Sequence, residues 1–222
     1  MTATKWGLAV LAVAVLVLAL VVMRPLPRDA GPAAPGAPWR IETSADGASR
    51  VFGLTLGAST LGDALAALGP DMELAVIATG DEPGSLEAYY SHATAGPVIG
   101  RLILNARLDA PTVERLRRNS PRTDRAGTGA RKIRIAADDL PVALGARIEG
   151  IVFLPAVNLD EDVVIARFGE PQRRVRVDEH SVHLLYPDKG LDVVLNDDGR
   201  EVLQYVAPGE FARLSAPLDH IP

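Results

Sequence analysis

Residues Trp6 to Met23, WGLAVLAVAVLVLALVVM, form an unbroken run of eighteen side chains without a charge or a polar group. As a helix, at about 1.5 Å per residue, the run measures roughly 27 Å, close to the ~30 Å hydrocarbon core of a bilayer. Lys5 and Arg24 bracket it, where their charged ends reach the headgroups. A secretory signal has a shorter apolar core, about 7–15 residues, followed by a small-residue cleavage site. Here the run passes instead into Arg24-Pro25-Leu26-Pro27-Arg28. The expectation is an uncleaved transmembrane helix over residues 6–23, set in a lipid bilayer behind a short tail of residues 1–5.

Residues 24–50 carry Pro25, Pro27, Pro32, Pro35 and Pro38 among Ala and Gly, a composition that favours extended polyproline II over helix or ladder. They read as a linker, with folded chain from Val51 onward. The 222 residues suffice for one medium domain or two small ones. There is no cysteine, which excludes a disulfide framework, thiolate zinc and iron–sulfur sites, a cysteine nucleophile and a lipidated-cysteine anchor. The net charge is −5, with +3 in residues 1–40 and −8 beyond, so no nucleic-acid partner is expected.

Beyond Val51, short helices alternate with strands. Ser59 or Thr60 caps a helix through Leu68, with Leu61, Leu65 and Leu68 on one stripe, and Gly69-Pro70 ends it. Strands are predicted over 73–79, 86–92 and 98–107. Asp109 caps a helix holding Val113 and Leu116, followed by a polar loop. A strand over 131–136, a brief helix over 138–144 and a strand over 147–154 come next. Asn158 or Asp160 caps a helix to Phe168, and strands over 173–177, 181–186, 191–196 and 201–206 complete the pattern. Pro187-Asp188-Lys189-Gly190 and Asp197-Asp198-Gly199 are hairpin signals, because Gly supplies positive φ and Asp bonds its own backbone.

Leu68-Gly69-Pro70 and Phe168-Gly169-Glu170-Pro171 stand one hundred residues apart, each closing a helix ahead of a run of strands. The predicted fold class is therefore α+β: the N-terminal transmembrane helix, then two helix-plus-antiparallel-sheet units over 51–108 and 157–208. A βαβ-like segment over 109–156 joins them, and residues 209–222 form a tail.

Leu159-Asp160 through Phe168-Gly169-Glu170-Pro171, His183-Leu184-Leu185-Tyr186, Leu191-Asp192-Val193-Val194-Leu195 and Asp198-Gly199 resemble BamE-type (SmpA/OmlA) envelope modules. In that family a helix ends in a Leu/Phe-Gly-x-Pro corner and a sheet follows whose second strand carries an aromatic-Tyr pair. Tandem versions of a similar fold occur in β-lactamase inhibitor proteins, which bind a partner through a sheet face. The chain departs from the BamE pattern in lacking the lipidated cysteine and in carrying an apolar anchor and a second unit, so a role in barrel assembly does not carry over. What the resemblance implies is protein–protein contact in a bacterial envelope. With Lys5 and the amino terminus inside, it favours an inner-membrane protein whose domain is periplasmic, although Arg24 and Arg28 then lie on the outer side.

No catalytic, cofactor or metal residue is assigned. His180 and His183 stand beside Asp178 and Glu179, but residues three apart on a strand point to opposite faces and cannot share an ion. Asp160-Glu161-Asp162 suits the first turn of a helix. Ser59 misses G-x-S-x-G at its last position, and Gly127-Thr128-Gly129-Ala130-Arg131-Lys132 lacks the strand and the G-K-[ST] of a phosphate loop. Arg115, Arg117, Arg118, Arg122, Arg125, Arg131, Lys132 and Arg134 are opposed within their stretch by Asp124 alone. Such a cluster suits anionic lipid or an acidic partner, or is a solvated surface; it has no aromatic residue for base stacking.

The expected contact residues for an envelope protein partner are Tyr89, Tyr90, His183 and Tyr186 on a sheet face, or Arg117 and Arg118. The alternatives are an envelope hydrolase using His180 or His183 with a carboxylate, and a cytoplasm-facing regulator that binds anionic partners through Arg115–Arg134. Single cysteines at Ala33→Cys and Asp198→Cys separate these: both should react with a membrane-impermeant thiol reagent once the outer membrane is permeable. Labelling only after lysis would place the domain in the cytoplasm.

Overall fold

The strand-forming stretches alternate apolar and polar residues with a period of two, so each has one face to bury. The computed structural model describes residues 36–44, 47–79, 84–125, 130–197 and 200–221. In chain order its elements are β1 (Glu42–Thr43), β2 (Ser49–Val51), β3 (Leu54–Thr55), α1 (Leu61–Leu68), β4 (Glu73–Ala78), β5 (Ser85–Ala95), β6 (Val98–Arg107) and α2 (Ala110–Asn119). There follow β7 (Thr123–Arg125), β8 (Arg131–Arg134), α3 (Leu140–Leu144), β9 (Arg147–Pro155), α4 (Glu161–Phe168), β10 (Arg173–Arg176), β11 (Ser181–Tyr186), β12 (Leu191–Asn196), β13 (Val202–Val206) and α5 (Ala212–Ser215).

Ten strands form one sheet in the order β10-β11-β12-β13-β9-β6-β5-β4-β8-β7, and β1, β2 and β3 form a small sheet of their own. This corrects the predicted pair of helix-plus-sheet units. β13 bonds β9 antiparallel, with Leu203 opposite Phe153 and Tyr205 opposite Ile151, and β9 bonds β6, so the strands of both halves share one sheet. Alternation shows which face of a strand is apolar and is silent on its neighbour. The free edges of β9 and β13 carry unpaired amides and carbonyls, and pairing them satisfies both. The predicted transmembrane helix over 6–23 lies outside the described residues; among those described, no helix is long and apolar enough to cross a membrane.

The main core takes its sheet side chains from one face. Val76, Leu86, Ala88, Tyr90, Leu102, Leu104, Ile151, Phe153, Leu184, Val193, Leu203 and Tyr205 all lie on it, under helix residues Leu61, Ala64, Val113, Leu116, Val164 and Phe168. Helix α1 begins in a reciprocal cap: Thr60 Oγ1 accepts from the Asp63 amide (3.2 Å), and the Asp63 carboxylate accepts from the Thr60 amide (2.8 Å). Helices α1 and α4 end alike. Gly69 (φ 96°, ψ 176°) and Gly169 (φ 84°, ψ −175°) adopt a conformation open essentially to glycine alone. The Tyr90 hydroxyl donates to the Gly69 carbonyl (3.4 Å) and to that of Ala64 (3.2 Å); the Tyr186 hydroxyl donates to the Gly169 carbonyl (3.0 Å). Each helix-to-sheet corner is thus tied to the second strand of its meander.

Folded chain starts before Val51. Ala37 is fully buried, the Tyr205 hydroxyl donates to the Pro38 carbonyl at 3.0 Å, and Arg167 stacks 4.6 Å from the centre of the Trp39 ring. Phe52 and Gly53 close the β2–β3 hairpin with φ of 55° and 81°, the pattern of a two-residue turn that Asn-Gly usually fills. Positive φ at a phenylalanine costs on the order of 1–2 kcal/mol. Its ring packs 5.4 Å from Phe153 and 5.5 Å from Tyr205, and burial of that size outweighs the strain.

Phe52→Ala is expected to cost about 3–5 kcal/mol, because it empties the aromatic cluster. Tyr186→Phe should cost about 1 kcal/mol, the worth of one hydroxyl bond to the corner. Urea denaturation of both variants measures the difference.

Candidate binding face of the sheet

The face turned away from the helices belongs to no part of the main core. Strand register lays one row of side chains straight across it: Glu73, Tyr89, Ile103, Val152, Gln204, Asp192, Leu185 and Arg173, each opposite the next. At the Arg173 end the row is covered. The C-terminal residues, predicted to be a tail, run through a short helical turn at Pro208–Glu210, α5 and a further turn at Ala216–His220. They press Phe211, Leu214, Leu218 and Ile221 onto Leu185, Val206 and Val175. Two ion pairs hold this strap: Arg173 Nη1 to Asp219 Oδ1 at 2.8 Å, and Arg213 Nη1 to Glu149 Oε2 at 3.3 Å. Arg107 pairs with the same Glu149 carboxylate.

A polar cluster lies in the row beside Leu185. His183 Nδ1 is 2.8 Å from Asp192 Oδ2, and Gln204 Nε2 donates to the same oxygen at 3.2 Å. Asp192 is 1% exposed, and its Oδ1 is buried with no hydrogen-bond partner among the described residues. With Asp192 ionised, Nδ1 carries the ring proton and Nε2 faces away from the carboxylate. Val175 and Val194 stand directly opposite His183 on the two neighbouring strands, so the ring emerges between valines.

No described element covers the other half of the face. Tyr89, Ile103, Val152 and Leu154 are half-buried there, and Ile99 is 55% exposed. Glu87 sits between Ala75 and Asn105. Its carboxylate accepts from the Ser85 hydroxyl at 3.2 Å, and no cation pairs with it among the described residues. Burial pushes the Glu87 carboxyl above its usual range, and the Ser85 bond offsets part of that rise. The nearest cations on β8 are engaged elsewhere: Lys132 holds Glu73 at 2.6 Å, and Arg134 holds Asp124 at 3.3 Å.

The predicted contact residues separate. Tyr89 and His183 share the face away from the helices. Tyr90 and Tyr186 are corrected: both point to the helix side and are buried, 1% and 3% exposed, because their hydroxyls tie the Gly69 and Gly169 corners. Residues one or three apart on a strand point to opposite faces, so Tyr90 cannot share a surface with Tyr89, nor Tyr186 with His183.

Arg117 and Arg118 lie on α2, each 3.7 Å from Glu114. Arg115 reaches Asp139 at 3.6 Å, and Arg122 lies 2.6 Å from Asp124. The Arg122 bond, with help from Arg134, holds the Asp124 carboxyl below its usual range. The stretch is therefore laced with carboxylates from α2, β4 and the turn before α3 that its own sequence does not contain. His180 precedes β11, in a turn where the Asp178 carboxylate accepts from its backbone amide at 2.8 Å. Among the described residues no three His, Asp or Glu side chains are placed to hold a metal.

Sequence reasoning missed Glu87, Ile103, Val152, Asp192 and Gln204. One signal was present: in β6 the positions alternate with buried Gly100, Leu102 and Leu104, yet two of the outward ones are Ile99 and Ile103. No protein family, no curated protein and no solved structure matches the chain.

Because the folded value for Glu87 is raised, its favourable contribution is present in acid and is lost as pH rises through that value. Glu87→Gln should remove this loss and match or exceed the parent in stability at about pH 7, with a smaller gain on going to about pH 4. Denaturant midpoints at the two pH values test this; a parent that is destabilised relative to the variant only in acid would contradict it.

Proposed function

We propose that the chain is a module of a bacterial envelope, held at the inner membrane by residues 6–23, which makes protein–protein contacts through the uncovered half of its sheet and performs no catalysis. The observation that carries this reading is the apolar sequence Tyr89, Ile103, Val152 across three adjacent strands, on the half of the face that no described element covers. Solvent-facing sheet surface ordinarily alternates to polar residues, and contiguous apolar side chains rimmed by charge suit a protein contact. The apolar run at residues 6–23 and the resemblance to envelope modules support the location. Arg117 and Arg118, each shared with Glu114, are the weaker candidates for the contact.

A second reading, hydrolysis, is favoured by the His183–Asp192 contact, which has the form of a carboxylate orienting a general base. The residues directly opposite His183 are valines, and no described hydroxyl bonds its ring, so the arrangement suits a structural role at the edge of the strap.

Photo-crosslinking in cells tests the choice. Benzoylphenylalanine at Tyr89 or Ile103 should give discrete protein adducts, and the same group at Arg118 should give none. Adducts from Arg118 alone would move the contact to α2 and overturn the reading. His183→Ala should leave the Tyr89 adducts in place, whereas a hydrolase would lose a chemical activity with the same change.

A further inference from the structure

Three large apolar side chains with high exposure, Ile99 (55%), Val157 (52%) and Val163 (42%), belong to one end of the main sheet, where the β5–β6 turn, the close of β9 and the start of α4 meet. The Ala156 amide donates to the Ile99 carbonyl at 2.8 Å and so brings the chain at Val157 to the β5–β6 turn. Val163 lines an apolar cavity with Trp39, Val98, Pro155 and Leu159. Arg167, stacked on the Trp39 ring, is the one charged residue among the described residues lining it. Exposed Pro97 and Ala156 extend the same rim. Helix α4 divides the rim from polar ground: Asp160 and Glu161 line a separate cleft with His180, Asp197 and Glu201, and Arg174 holds Glu161 at 2.7 Å.

The chain enters the domain at this rim. Gly96 in the β5–β6 turn has no room for a side chain, since a Cβ there would lie 3.1 Å from Ala37. Residues 24–35 separate Gly36 from the apolar run, and twelve extended residues span at most about 40 Å. With the run in a bilayer, this tether keeps the rim close to the lipid surface, so that a weak apolar contact suffices to seat it. Tryptophan, apolar in body with one polar N–H, favours the headgroup level. We infer that the rim docks on the bilayer surface, with Trp39, Ile99, Val157 and Val163 set among the headgroups and upper acyl chains. The inference rests on the anchoring reading above and adds a second membrane contact, made by the folded domain itself. Charges of both signs border the rim, Arg40, Arg101 and Arg167 against Glu42, Asp160 and Asp162, so the contact is apolar in kind and requires no anionic lipid. Ile99 and Ile103 are four residues apart on β6, about 13 Å, which leaves the row through Tyr89, Ile103 and Val152 clear of the docked rim.

The two tryptophans, Trp6 and Trp39, make the test direct. The full chain is placed in phosphatidylcholine vesicles whose acyl chains carry bromine, a contact quencher of indole, either near the headgroup or near the terminal methyl. Trp6→Phe leaves Trp39 to report the rim, and Trp39→Phe leaves Trp6 to report the apolar run. Trp39 should lose fluorescence to the shallow bromine more than to the deep one, and high salt should not restore it. Ile99→Asp combined with Val157→Asp should abolish the loss while the far-ultraviolet circular dichroism stays that of the parent. The absence of cysteine supplies a second probe: an environment-sensitive fluorophore on Val157→Cys should be quenched in the same vesicles. The same fluorophore on Asp188→Cys, which strand register places at the opposite end of the sheet, should not. Quenching of Trp6 without quenching of Trp39 or of the Val157 label overturns the docking and leaves the anchor standing. If neither tryptophan is quenched, the anchoring reading falls as well. Trp39 quenching that survives the double aspartate variant also overturns the inference, because the tether alone would then account for it.

Discussion

The antiparallel pairing of β9 with β13 is the contact on which the rest of the molecule depends. It places Phe153 beside Leu203 and Ile151 beside Tyr205 on the helix side, and so builds one continuous core under α1, α2 and α4. On the opposite side it places Val152 beside Gln204 and so completes a single row of eight side chains. Without it, two short sheets would each carry an additional unpaired edge. With it, the free edges are β10 and β7, four and three residues long, and β10 carries three arginines, a pattern that discourages edge-to-edge association.

One-sided burial follows from the same constraint. The helices and the Phe52 hairpin cover one face, and among the described residues only the C-terminal strap lies on the other. The strap covers the end where Leu185, Val206 and Val175 are apolar and stops there. Asp192 is buried in consequence, since it lies next to Leu185 in the row, and His183 and Gln204 supply its bonds. A buried carboxylate left with one free oxygen is costly, and its two partners keep that cost local. The uncovered end keeps a tyrosine, an isoleucine and a valine in contact with solvent beside a carboxylate that burial has made a weaker acid.

Much of this was legible in the residues themselves. Thr60 and Asp109 cap helices α1 and α2, Gly69 and Gly169 end α1 and α4, and the strands after each corner fall within a few residues of their predicted limits. These are local properties: a cap needs a hydroxyl or carboxylate within four residues, and a corner at φ near 90° needs glycine. The hairpin β2–β3 was missed because Phe-Gly is not a turn signal by itself; the ring of Phe52 accepts the left-handed conformation only because Phe153 and Tyr205, some hundred and more residues away, receive it.

The candidate face was half legible. Period-two alternation assigns Tyr89 and His183 to one side of their strands and Tyr90 and Tyr186 to the other, and the isoleucines of β6 stand out on the solvent side. Alternation cannot say which strands lie side by side, so the meeting of Tyr89, Ile103 and Val152 waited on the sheet order. The same holds for part of the basic stretch: Glu114 is a helical neighbour of Arg117 and Arg118, but Arg115 and Lys132 look unopposed until Asp139 and Glu73 come within reach. By itself the sequence determined the apolar run at residues 6–23, the helix limits, the turns and the two faces of each strand, because these depend on neighbours a few bonds away. Tertiary structure decided that the strands form one sheet, which face the helices cover, how far the C-terminal strap reaches, and which charges stay unpaired. Those outcomes depend on pairing between residues far apart in the chain, and local chemistry carries no information about register.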